Sequence, residues 1–171
     1  MNDANGVIDK VGFFDDGAEF STFAQLDWQP SIQHRYFKNV HMTFWHVDER
    51  EDAKVPSSRG IAFGANWTFK EKFIPFFRAG WSEGDAPLMN KTATIGLIHR
   101  FHNSDLIGLG FNWGDPSNSA LRDQYWNELF YRFQFSQNLA LTPSVELLID
   151  PALHPDEDQI WAVSLRVRLS L

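Results

Sequence analysis

From Trp161 to the end of the chain, every second residue is apolar: Trp161, Val163, Leu165, Val167, Leu169 and Leu171. Between them sit Ala162, Ser164, Arg166, Arg168 and Ser170. A side-chain period of two belongs to a β-strand, so this segment presents one wholly apolar face and one face with two arginines. A soluble sheet would turn the apolar face to its core and the arginines to water. A membrane barrel does the reverse, with lipid outside and a wet lumen inside.

The pattern repeats along the chain. Nine segments of strand length occur, over 19–28, 36–48, 60–70, 73–82, 91–101, 106–114, 124–135, 139–149 and 159–171, and none has helical spacing. Ile61, Phe63, Ala65, Trp67 and Phe69 oppose Ala62, Gly64, Asn66, Thr68 and Lys70. Leu129, Tyr131, Phe133 and Phe135 oppose Glu128, Phe130, Arg132 and Gln134. Each segment is close to the roughly 9–11 residues of a tilted transmembrane strand. Sixteen Phe and seven Trp among 171 residues favour strands further.

The connections point the same way. They are expected to alternate between short ones ("QPSIQHR", "EK", "HNSD", "SQN") and long ones ("EREDAKVPSSR", "EGDAPLMN", "DPSNSALRD", "DPALHPDED"). Transmembrane barrels have tight turns at one rim and longer loops at the other. Trp28, Phe69, Trp81, Trp113 and Trp161 fall near strand ends, where aromatic girdles meet the lipid–water boundary. The opposite faces carry charge, and burying it unpaired in a soluble core would cost several kcal/mol per group.

No apolar run reaches the ~18–20 residues of a membrane helix. The net charge of −7, with no large basic patch, argues against nucleic acid as a partner. Without cysteine there is no disulfide framework and no thiolate metal site. "MNDANGVIDK" lacks the charged and apolar regions of a signal peptide.

At this point the residues resemble a family. "NELFYRFQFSQNLALTPSVELLIDPALHPDEDQIWAVSLRVRLSL" is similar to the C-terminal end of the OprB-like carbohydrate-selective outer-membrane porins. Glu128, Tyr131, Arg132 and Gln134 match one patterned strand, and Leu139, Leu141, Pro143, Ile149 and Pro151 match the next. "FIPFFRAGWSEGD" and "DLIGLGFNWGDPS" resemble consecutive strands of the same barrels, and the likeness extends over about 19–171. It implies an all-β, antiparallel up-and-down transmembrane barrel of about sixteen strands, of which this chain supplies about nine and need not close. The expectation is therefore the C-terminal part of a larger porin, with 1–18 as an extracellular loop or disordered segment and 19–171 as barrel. Barrels of this kind commonly end in an aromatic residue, whereas this chain ends in Leu171.

The resemblance implies passive diffusion of carbohydrates across a bacterial outer membrane, with outer-membrane lipid and permeating sugars as partners, a homo-oligomer left open and no cofactor. The residues expected to line the pore are Arg78, Arg100, Glu128, Arg132, Glu146, Arg166 and Arg168, with Trp45 and Trp126 as platforms for sugar rings. Phe76 and Phe130 share that face, and packing of the wall is an equally good reason for any one of these residues. Enzyme readings are weak: His99 and His102 make a poor metal pair, and His46 with Asp48 sits at a loop mouth. The alternative is a self-contained small barrel, either a membrane anchor or a lipocalin-like binder of an apolar ligand. Pairing of the first strand with the ninth distinguishes it.

Overall fold

Alternating β-branched and aromatic residues make strands, and tight polar turns pair each strand with the next. The computed structural model describes residues 19–32, 37–50, 54–84, 86–102 and 104–170. The expected N-terminal segment 1–18 and Leu171 lie outside the described residues. The strands are β1 (Ser21–Trp28), β2 (Lys38–Val47), β3 (Ser58–Trp67), β4 (Phe73–Glu83), β5 (Met89–Arg100), β6 (Leu106–Pro116), β7 (Gln124–Gln134), β8 (Leu139–Ile149) and β9 (Gln159–Leu169). They form one antiparallel sheet in chain order.

The sheet does not close. Among the described residues β1 pairs only with β2, and β9 only with β8. In an up-and-down sheet the first and ninth strands run in the same direction, so closure on itself would require a parallel pair. The closed nine-stranded barrel of the alternative reading is not formed, and the fold is a partial porin-type barrel wall whose two edges have no further strand beside them among the described residues.

Register assigns the faces. Arg78 lies opposite Gly64 and Thr94, and Thr94 lies opposite Asn112, which faces Trp126. Residues of this phase from β2 to β7 line one depression, which makes theirs the concave face. The other phase carries Phe77, Ile95, Phe111, Leu129, Val145 and Val163, all exposed. Buried apolar residues among those described are few: Ile74, Leu106, Ala140 and Ala152. A single curved layer has no second layer to bury its convex face, and lipid is the solvent that suits that face.

Aromatic rings border the apolar band. At the rim holding the tight turns, a chain of ring contacts runs from Phe73 to His99 (4.7 Å), Phe101 (4.7 Å), Tyr131 (6.0 Å), Phe133 (4.5 Å) and Phe135 (6.1 Å). Trp28 stacks on Trp67 at 6.0 Å on the same rim. His99, weighed above as a weak metal ligand, is thus one link in this belt. At the opposite rim stand Trp81, Trp113, Tyr125 and Trp161. The Trp113 indole N–H donates to Asp123 Oδ2 at 2.9 Å, which satisfies its polar edge while the ring faces outward. Just above this belt, Arg59 Nε donates to Glu83 at 2.7 Å and Lys91 pairs with Asp115 at 3.6 Å. Charge therefore begins where the apolar band ends.

The strict alternation of loop lengths needs correction. The β4–β5 connection is 84–88, no longer than the turns 68–72 and 101–105, and the β1–β2 connection 29–37 nearly matches 48–57. Strands β4, β5 and β6 run past their expected ends and absorb loop residues. A register shift between Met89 and Lys91 lets β5 begin early against β6. At the tight end, Lys70 and Glu71 both adopt positive φ (49° and 59°), which allows the chain to reverse between Phe69 and Phe73.

Candidate functional site: the concave wall

The concave face is paved with small residues, and large side chains from neighbouring strands lie on them. In β6, Gly108, Gly110 and Gly114 occupy the phase opposite Ile107, Leu109, Phe111 and Trp113. Phe130 of β7 covers Gly108, and Phe76 of β4 covers Gly96 and reaches toward Gly110. Trp45 covers Gly60, and the His41 ring covers Gly64. A side chain on any of the covered glycines would occupy the space of the ring above it. Cross-strand covering of glycine by an aromatic shields the backbone beneath it.

Charged and polar groups stand among the rings. A concavity of about 630 Å³ spans β2 to β7 and is lined by Arg78, Arg100, Trp126, Glu128 and Arg132, with Phe76, Phe130, Asn66 and Asn112. The Arg78 guanidinium carbon lies 5.9 Å from the Phe76 ring centroid, and that of Arg100 lies 4.8 Å from the Phe37 centroid. Cation–π contact holds both heads near the wall. Asn112 Nδ2 donates to Thr94 Oγ1 at 2.6 Å, orienting one amide in the floor of the concavity.

Five of the nine residues singled out from the sequence thus share one depression: Arg78, Arg100, Trp126, Glu128 and Arg132. Arg168 lines an adjoining depression together with Arg100 and Arg132. Glu146 lies directly opposite Glu128 on β8, outside the main concavity. Arg166 lies on edge strand β9 opposite Thr142, outside both depressions. Trp45 stands apart, toward the other rim of β2 against Gly60. His46 Nε2 lies 3.1 Å from Asp48 Oδ1 at an exposed rim and joins none of these groups.

Sequence reasoning missed the glycine floor, Phe37 and Thr94. One signal for the floor was present: "IGLGFNWG" places glycine at 108, 110 and 114 on the same phase as Asn112. Phe37 was within reach of the same reasoning, since it falls in the segment 36–48 on the phase of Trp45, although the structure places it in the connection just before β2.

The rims are fastened by polar contacts. Asp105, buried in the turn after β5, accepts from Tyr131 Oη at 3.0 Å and from the Gln134 backbone N–H at 2.7 Å. At the other rim the 150–158 loop is latched by Arg122, whose Nη2 lies 2.8 Å from Asp150 Oδ1 and 2.9 Å from Asp158 Oδ1. The hydrogen bond to Asp158, and then the charge of Asp150, raise the Arg122 pKa above the usual arginine value. Pro151 is fully buried in the same loop, and the Ala152 N–H donates to Gln124 Oε1 at 3.0 Å.

The comparisons with known proteins agree with this geometry. Residues 17–171 match the model of the carbohydrate-selective porin, OprB family. The chain is 29% identical over 133 residues to Porin AaxA of Chlamydia pneumoniae, a match that covers 69% of this chain and 30% of that protein. No solved structure matches the chain significantly. An unclosed antiparallel wall, apolar on its convex face and charged on its concave one, and a family match over nearly its whole length have one reading: the chain belongs to the OprB family of carbohydrate-selective porins, outer-membrane β-barrel proteins.

Proposed function

We propose that the protein contributes the wall of a passive pore through which carbohydrates cross the bacterial outer membrane, with Arg78, Arg100, Glu128, Arg132, Glu146, Arg166, Arg168, Trp45 and Trp126 facing the pathway. The observation that carries this reading is the concave face itself. Rings packed against glycines alternate there with guanidinium, carboxylate and amide groups around a concavity of about 630 Å³.

A pyranose has an apolar face of C–H groups and a rim of hydroxyls. Aromatic rings such as Phe130 and Trp126 suit the first, while Arg78, Glu128 and Asn112 supply donors and acceptors for the second. Conduction requires that such binding favour entry without preventing exit. Nothing in this pathway calls for bond chemistry, and a porin family indicates a channel, not an enzyme.

Swelling of liposomes containing the full-length protein, in isosmotic glucose or a disaccharide, tests the reading. Sugar-dependent swelling is expected. Liposomes that hold folded protein but admit neither sugar would refute the transport function.

A further inference from the structure

We infer that the tight-turn end of the concave face is a recognition site for sugars bearing a carboxylate or phosphate group, formed by Arg100, Arg132 and Arg168. The inference rests on the carbohydrate-pore reading and adds a solute class that a neutral sugar pathway does not require.

Register brings the three residues together. Arg100 on β5 and Arg132 on β7 both lie opposite Leu106 of the intervening β6, which places their backbones roughly 9–10 Å apart. Arg168 on β9 lies opposite Ala140, whose other neighbour is Gln134, one row nearer the turns. All three line one depression of about 500 Å³, whose other lining residues include Ser104, Gln134 and Gln137 and no carboxylate.

The cluster lacks internal neutralisation. At the outer rim Arg59, Lys91 and Arg122 each have a carboxylate partner. Among the described residues, Arg100, Arg132 and Arg168 form no ion pair, and Arg132 Nε is shielded from solvent without a hydrogen-bond partner. The nearby Asp105 carboxylate is engaged by Tyr131 and the Gln134 backbone. Glu128 lines the neighbouring concavity but not this depression. Three guanidinium groups gathered without a counter-charge repel one another, and a bound anion relieves that repulsion. Carboxylate and phosphate match the guanidinium fork in geometry.

The sugar part of the ligand follows from continuity. The two depressions share Arg100, Leu106 and Arg132, and Phe130 lies one row from Arg132 on the same face. A pyranose resting on Phe130 therefore places a charged substituent within reach of the arginines, with Ser104 and Gln137 available to its hydroxyls.

Titration calorimetry of the full-length protein in detergent, with glucuronate, glucose 6-phosphate and glucose, tests the site without requiring transport. Glucuronate, glucose 6-phosphate or both should bind more tightly than glucose, and R132Q/R168Q should weaken that binding by about 10-fold or more while weakening glucose binding by clearly less, so that the preference for the anionic sugars is lost. R132K/R168K keeps the charge but loses the fork, so an intermediate loss is expected; this variant also serves if the glutamine pair fails to fold. Equal binding of all three sugars by the unaltered protein, or anionic binding indifferent to both variants, would overturn the inference. Competition by chloride at matching concentration would also overturn it, as a general ion atmosphere. Liposome swelling separates the two readings. Anion binding without glucose flux fails the pore and leaves the site standing, whereas glucose flux without anionic preference fails the site alone.

Discussion

The Phe130 ring lies over Gly108, so close that a Cβ on that glycine would overlap ring carbons. The pair joins β7 to β6 and decides how far an aromatic projects from the concave wall. Glycine here is an absence of side chain that a neighbour uses.

Gly108→Val should therefore lift Phe130 off the wall. The expected cost is about 1–3 kcal/mol of overpacking, toward the lower end because a ring can rotate away. Urea unfolding in micelles would read the stability change, and single-channel conductance should fall as the ring enters the pathway. Unchanged conductance together with unchanged stability would show that the ring is not held by this contact.

Asp105→Ala should loosen the tight-turn rim. It removes an acceptor from the Tyr131 hydroxyl and from the Gln134 backbone N–H, and leaving such groups unsatisfied costs about 1–3 kcal/mol. Tyr131→Phe deletes only one of these bonds and should cost less, about 1 kcal/mol. Hydrogen exchange at Gln134 should quicken in the alanine variant and remain slow in the phenylalanine one.

Glu128→Gln should shift the charge of the main concavity toward positive. Its carboxylate stands among Arg78, Arg100 and Arg132, and directly opposite Glu146, a like-charged pairing across strands. Reversal potentials under a salt gradient should move toward anion selectivity. The fold should tolerate the change, since the substitution also relieves repulsion from Glu146.

Arg122→Ala should free the 150–158 loop to proteolysis, and high salt should do the same to the unaltered protein by screening exposed charges. The pH sense follows from the raised Arg122 pKa. A cation whose pKa is higher in the folded state contributes fully below its unfolded value and is lost only as pH rises through the folded one. Between about pH 6 and about pH 10 the guanidinium therefore stays charged, and loop cleavage should not quicken as pH rises across that interval.

Much of the fold was legible because a strand writes itself into sequence with period two. The phases of β6, β7 and β9 read directly from "IGLGFNWG", "LFYRFQF" and "WAVSLRVRL". Boundaries were less legible: β5 starts at Met89 rather than Lys91, because pairing with β6 carries it across a register shift that no local pattern announces. Of the nine candidate residues, alternation placed all on the concave phase, but it could not tell that Trp45 stands apart while Arg100 and Arg132 face the same Leu106.

By itself the sequence determined which side chains share a face and that one of the two faces is continuously apolar, since both follow from neighbours one and two residues apart. Tertiary structure alone decided that Phe130 rests on Gly108, that three arginines from β5, β7 and β9 meet around one depression, and that among the described residues β1 and β9 do not pair with each other. Those outcomes depend on inter-strand register and sheet curvature, which join residues far apart in the chain and leave no trace in local periodicity.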